Sequence, residues 1–133
     1  MLELNDDLKN ELSKLFEVTE DCFQSAKDSL KDGHSRAAMN RTYYTAFYCM
    51  NALAKRHGFQ TSKHSSLIGW FYKNYINPKL IDRKFGDLVS ETSELRVDAD
   101  YDMQVETPDE NIKAFWSVLS EFIELTKKLS LQE

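Results

Sequence analysis

Residues 35–76 read SRAAMNRTYYTAFYCMNALAKRHGFQTSKHSSLIGWFYKNYI, and the reading of this stretch decides the fold. It holds nine of the chain's 16 aromatic residues and two of its three His, but no Asp or Glu. Between Gly33 and Ile81 stand seven cations: Arg36, Arg41, Lys55, Arg56, Lys63, Lys73 and Lys79. The rest of the chain carries ten cations against 22 acids, so a net charge of −5 conceals a basic, aromatic-rich middle. From Ser35 to about His57 the apolar residues repeat at helical spacing. Met39, Tyr43, Ala46, Phe47, Met50, Leu53 and Ala54 form one stripe, which predicts a core-facing side. Ala37, Arg41, Tyr44, Tyr48, Asn51 and Lys55 form a second stripe on roughly the opposite side. Two readings of that amphipathic stripe stand: a surface covered by a neighbouring helix or a second subunit, or a surface for a ligand or RNA.

Working outward, Ser35 is the expected N-cap of this helix and Gly58 its stop. Upstream, Asn5 or Asp6 can cap a first helix that runs to about Leu30 through Leu8, Leu12, Leu15, Phe16, Cys22, Phe23 and Ala26. The pattern drifts near Val18 and Thr19, and Asp32-Gly33 ends it. Downstream, Ser62 is the expected cap of a third helix from about Lys63 to Tyr75, with Leu67, Ile68, Phe71 and Ile76 inward and Asn77-Pro78 as its end. A fourth helix is predicted from about Leu80 to Glu94, extending as far as Ala99, with the acidic run DADYDMQVE, Asp98 to Glu106, as a loop. Thr107 as N-cap, Pro108 at the first position and Asp109-Glu110 in the first turn announce a last helix. It carries Ile112, Phe115, Trp116, Leu119, Phe122, Ile123 and Leu129. Four Gly and two Pro in 133 residues are too few for a many-stranded sheet. The expectation is a single all-α domain over 1–133, an antiparallel up-and-down bundle of about five helices.

Composition also narrows the chemistry. Cys22 and Cys49 stand 27 apart in apolar helical patterns, which predicts small core residues of a reducing compartment. The start, MLELNDDLKNEL, is too polar for a signal peptide, and no apolar run nears the roughly 20 residues that span a bilayer. The expected location is therefore cytoplasmic, away from membranes. No His-x-x-x-His or Glu-x-x-His pair occurs, so no metal site is expected, and scattered glycines form no phosphate loop. No cofactor is expected. Two constellations remain. One is the basic group Arg36, Arg41, Lys55, Arg56, His57, Lys63 and His64, with Lys63-His64-Ser65-Ser66 at a predicted helix start whose free N–H groups suit a phosphate. Nearby Tyr and Arg could stack on bases, although the same group also reads as a solvated face balanced by the acidic first helix. The other is Arg96-Val97-Asp98-Ala99-Asp100-Tyr101-Asp102, either a surface ion-pair cluster or an Arg held towards a phosphate.

Asn40-Arg41-Thr42-Tyr43-Tyr44 with Phe47-Tyr48, then Lys63-His64-Ser65, then Leu95-Arg96 and Ala99-Asp100-Tyr101-Asp102, together resemble the HEPN superfamily. The likeness is to its small stand-alone prokaryotic proteins, formerly called UPF0332, and runs from about Ala37 to Asp102. The resemblance implies a helical bundle that dimerises and is paired with a minimal nucleotidyltransferase, often as toxin and antitoxin. Many members are metal-independent RNases whose motif is an Arg, four to six residues, then a His. This sequence departs from that motif: Arg96 meets Tyr101, not His, at the matching distance. The resemblance thus implies a nucleotide- or RNA-binding component of a nucleotidyltransferase-linked module without strong catalysis. Arg96, Tyr101 and His64 are the candidate catalytic residues, and Arg41, Tyr44, Lys63 and His64 the candidate phosphate contacts. The alternatives are a metal-independent endoribonuclease using Arg96 with His64, and a dimeric scaffold that docks an acidic partner.

Overall fold

The computed structural model describes the backbone of residues 1–101 and 106–133, and the side chains of the same residues apart from 98–101. Its elements are α1 (Asp6–Lys31), α2 (Ser35–Arg56), α3 (His64–Phe71), which continues as a π-helical turn over Tyr72–Ile76, α4 (Arg83–Tyr101) and α5 (Asp109–Leu131). The all-α bundle anticipated from the sequence is what forms, with α2 at its centre in contact with α1, α3, α4 and α5. The two glycine stops act by the same mechanism. Gly33 (φ 83°) and Gly58 (φ 77°) adopt the left-handed conformation just past α1 and α2. His34 N–H then bonds the Ser29 carbonyl at 2.8 Å and Phe59 N–H bonds the Ala54 carbonyl at 2.8 Å, so each helix end closes its orphan carbonyls within the chain.

The predicted core stripe of α2 is buried throughout, from Met39 to Ala54. A third side, which the apolar periodicity did not announce, is buried as well: Ala38, Thr42, Thr45, Cys49 and Ala52 are all inaccessible to solvent. These small residues let neighbouring helices approach, and the hydroxyls cost little because Thr42 and Thr45 donate to the carbonyls four residues back. Trp116 Nε1 in turn donates to Thr42 Oγ1 at 3.1 Å, tying α5 to α2. The drift in α1 has a similar cause. Val18 points outward and Thr19 takes the core position, its hydroxyl bonded to Leu15. Both cysteines are buried and free, and burial pushes the Cys49 thiol up to about 12.

Several expected boundaries are corrected. Asn5 caps α1 through Oδ1 on Leu8 N–H as predicted, but Ser35 does not cap α2. His34 occupies the cap position, and Ser35 Oγ instead bonds Asp109 Oδ1 at 2.7 Å across to α5. Lys63, not Ser62, precedes α3, and Pro108, not Thr107, precedes α5, neither with a side-chain cap. The third helix does not stay regular to Tyr75. At Tyr72 it widens to a π turn closed by Asn77 N–H on the Tyr72 carbonyl. That turn points Tyr72 at α4, where its hydroxyl donates to the Gly86 carbonyl at 2.6 Å and meets Ser90 Oγ at 2.6 Å. A Cβ at Gly86 would stand 3.0 Å from the Tyr72 oxygen, so a larger residue would push that hydroxyl back by a few tenths of an ångström. The fourth helix begins at Arg83 rather than Leu80, after Lys79 (φ 62°) and with Asp82 Oδ1 accepting from Lys84 N–H. It continues to Tyr101, so the predicted loop starts later than expected, and residues 102–105 lie outside those described.

Candidate functional site

α2 supplies the floor of the site through Tyr43, Tyr44 and Phe47, within five positions of one another on adjoining faces. α3 begins at His64 and lays its imidazole on this floor. The ring stacks on Phe47 at 4.3 Å between centroids, lies nearly parallel to Tyr43, and meets Tyr44 edge-on at 5.7 Å. Its Nδ1 is hydrogen-bonded to the Tyr43 hydroxyl at 2.8 Å. α4 brings in Arg96, with the guanidinium carbon 4.9 Å from the Tyr43 ring centre and 5.8 Å from that of Tyr44. Stacking of a cation on a desolvated aromatic face contributes on the order of 1 kcal/mol and fixes the guanidinium plane. Two residues 32 positions apart, both singled out from the sequence, are thus gathered around one pair of tyrosine rings.

The electrostatics follow from that packing. Tyr43 is fully buried, and burial raises the pKa of its phenol, opposed by the positive charge of Arg96 and by the Ser93 hydroxyl. The His64 pKa is lowered below 6.5, first by burial and then by Arg96. At pH 7 the pair is therefore a neutral imidazole against a neutral phenol beside a permanent cation. His64 Nε2 makes no hydrogen bond among the described residues. A half-buried neutral imidazole with one nitrogen committed and the other uncommitted, flanked by a guanidinium, suits an anionic oxygen.

The remaining predicted residues divide. Tyr44 is part of the cluster and half-buried, with Tyr48 at 6.2 Å behind it. Arg41 and Lys63 are exposed, and neither side chain has a hydrogen bond or ion pair among the described residues. Arg41 shares the Tyr44 stripe one turn away, and Lys63 immediately precedes His64. The side chain of Tyr101 lies outside the described residues. The basic group also needs correction. Arg56 is not on the exposed face: it is buried and donates to the carbonyls of Leu2, Ser130 and Gln132 at 2.9, 2.8 and 2.5 Å. Lys55 pairs with Glu11 of α1 at 3.1 Å, so the acidic first helix does balance part of the basic segment. Tyr43, Phe47 and Ser93 were missed as site residues. For Tyr43 a signal existed: a tyrosine at a fully buried position needs a hydroxyl partner.

Elsewhere, an apolar groove of about 610 Å³ runs between α4 and α5 past Leu88, Leu95, Phe115 and Val118, with Asp87, Glu91 and Glu94 in its walls. It contains none of the predicted residues. Among the described residues no group of three or more His, Cys, Asp or Glu could hold a metal ion, and no helix is long and apolar enough to cross a membrane.

The family model described as the HEPN domain matches residues 12–129. A Thermotoga maritima protein described as "UPF0332 protein" is 30% identical over 124 residues, covering 90% of this chain and 94% of its own. Two Methanocaldococcus jannaschii proteins, each described as a "putative toxin", are 29% identical. One match covers 90% of this chain and 82% of the relative, and the other covers 80% of each. No solved structure gives a significant match.

Proposed function

This chain belongs to the HEPN domain family, and from that premise we propose that it is the toxin-like component of a two-component module. In this reading it binds the phosphate of an RNA or a nucleotide at the His64–Arg96 face and has little catalytic power of its own. The observation that carries it is the convergence of His64 and Arg96 on the Tyr43 and Tyr44 rings, with His64 Nε2 uncommitted. A guanidinium and an imidazole held by packing supply directional donors to phosphate oxygens, and Tyr44 offers an aromatic edge for a base. Lys63 and Arg41 stand nearby in sequence and are exposed, fit to add diffuse attraction for a polyanion. The descriptions of the jannaschii relatives favour a toxin role. The partner that the family resemblance implies is a minimal nucleotidyltransferase, with Tyr101 as a hydroxyl it could modify. The working form is a cytoplasmic single-domain homodimer.

A second reading is favoured by the same convergence: a metal-independent endoribonuclease with Arg96 on the scissile phosphate and His64 moving a proton. One experiment separates them. Purified protein is titrated into a labelled single-stranded RNA in EDTA, followed by anisotropy and by gel, beside Arg96→Ala and His64→Ala. Binding that weakens about tenfold or more in each variant, without cleavage, supports the proposal, because a charge-assisted contact contributes roughly 1.5–3 kcal/mol. Cleavage that both variants abolish establishes the nuclease. Absence of both leaves a docking scaffold.

A further inference from the structure

We propose that Tyr43 is the positioning residue of the site: its hydroxyl donates to His64 Nδ1, which holds the imidazole as the Nε2–H tautomer and presents that N–H to a phosphate oxygen. The inference rests on the phosphate-binding reading above and deepens it. Residue types alone leave the direction of the Tyr43–His64 bond open, but burial and acidity decide it. The Tyr43 side chain has no solvent access, its hydroxyl stands 2.8 Å from His64 Nδ1, and the Ser93 hydroxyl also interacts with it. If His64 were the donor, the phenol proton would have to turn to the Ser93 hydroxyl, a weaker acceptor than a pyridine-type nitrogen. A phenol is also a much stronger proton donor than a neutral imidazole N–H, and a pyridine-type nitrogen a stronger acceptor than a phenol oxygen. Both considerations point the proton from Tyr43 towards His64.

Three things hold the imidazole in that state. Phe47 stacks on one face and Tyr44 closes its edge, so the ring does not flip to exchange its nitrogens without leaving the stack. Arg96 lies over the Tyr43 and Tyr44 rings and disfavours a second positive charge on His64. Neither Ser93 of α4 nor Lys63, immediately before α3, is an acid that would draw a proton onto the ring.

The consequence separates binding from catalysis. An imidazole that carries its proton on Nε2 is a hydrogen-bond donor there and has no lone pair to accept the proton of a ribose 2′-hydroxyl. The outward nitrogen is thus set for holding phosphate and not for the base role that the nuclease reading needs. The departure from the family motif at Tyr101 and the tautomer of His64 point the same way.

The test uses the full chain with 15N-labelled histidine and reads long-range nitrogen–proton correlations near pH 7, with His64→Gln to assign the signals. His64 is expected to show a pyrrole-type Nε2 and a pyridine-type Nδ1. Tyr43→Phe, close in shape and still apolar, is expected to give a mixture of tautomers, because Nδ1 loses its hydrogen-bond donor. A pyrrole-type Nδ1 in the wild-type protein would mean that Tyr43 accepts from His64 and donates to Ser93, and the inference would fall. The wild-type spectrum decides this even if the variant does not fold. Unchanged nitrogen shifts in a folded Tyr43→Phe protein would also overturn it. Adenosine 5′-monophosphate is then added. Perturbation of Nε2 supports the phosphate-binding reading. Its absence with this nucleotide, and with the RNA used above, defeats that reading while leaving the tautomer assignment intact.

Discussion

The bundle contains two sets of the same three residue types, an arginine, a histidine and a tyrosine, and it uses them in opposite ways. At the C-terminal end of α2 stand Arg56, His57 and Tyr75. Arg56 is 5% exposed and spends its donors on three backbone carbonyls from the two ends of the chain. His57 Nε2 bonds the Tyr75 hydroxyl at 2.7 Å, with Trp70 edge-on against the ring and Phe59 stacked on Trp70. In the first half of α2 the set is Arg96, His64 and Tyr43, where the arginine lies across aromatic faces and the histidine bonds through Nδ1. The difference lies in what the cation satisfies. A guanidinium that closes three carbonyls is part of the scaffold, because removing it strands polar groups in the core. A guanidinium laid over rings orders its own plane and directs charge towards whatever approaches. The first set holds Leu2 and the end of α5 against α2.

The sharpest way to break that comparison is to remove each arginine in turn. Arg56→Ala should cost about 3 kcal/mol of stability, read as a lower urea midpoint, because several buried carbonyls lose their donor at once. RNA affinity of the remaining folded protein should match wild type, since the two sets share no contact. Arg96→Ala should act on binding instead: RNA affinity lower by about tenfold or more, with a smaller stability loss than Arg56→Ala, because its stacking on the Tyr43 and Tyr44 rings leaves no buried carbonyl stranded. Equal stability losses, or equal affinity losses, would mean that the two sets are not functionally distinct.

The helices were more legible in the sequence than these roles, for a physical reason. Helical periodicity and left-handed glycines act within a few residues, so α2, its core stripe and the stops at Gly33 and Gly58 were legible. Which cation is buried depends on remote backbone. The carbonyls that capture Arg56 lie 54, 74 and 76 positions away, so a charge count grouped it with exposed Lys63 and Arg41. The Ser35 cap failed similarly. Ser35 has the right chemistry for its own helix, but Asp109, 74 positions on, takes its hydroxyl. His64 and Arg96 were named because motifs placed them, whereas Tyr43 looked like plain core until its hydroxyl was seen against His64 Nδ1. The π turn at Tyr72 leaves no mark in periodicity. It follows from tertiary bonds to Gly86 and Ser90.

The smallest expected effect is also the one that tells the two histidines apart in a single protein. Burial lowers the pKa of both, helped by Arg56 and other positive charge at His57 and by Arg96 at His64. In the unfolded chain each protonates near 6.5, while in the folded protein each stays neutral to lower pH. Below that value the unfolded state binds more protons, so stability should fall as pH drops from 7 through the window beneath 6.5 and should not respond to these groups above it. His57→Gln and His64→Gln should each remove part of the acid slope in urea midpoints measured between pH 7 and pH 5. A phosphate ligand changes only one of the parts. A bound anion beside His64 favours its imidazolium, so saturating adenosine 5′-monophosphate should remove the His64 share of the slope and leave that of His57. If the ligand flattened the slope in His64→Gln as well, the anion would be acting at the Arg56–His57 set, and the assignment of scaffold to one set and site to the other would have to be exchanged.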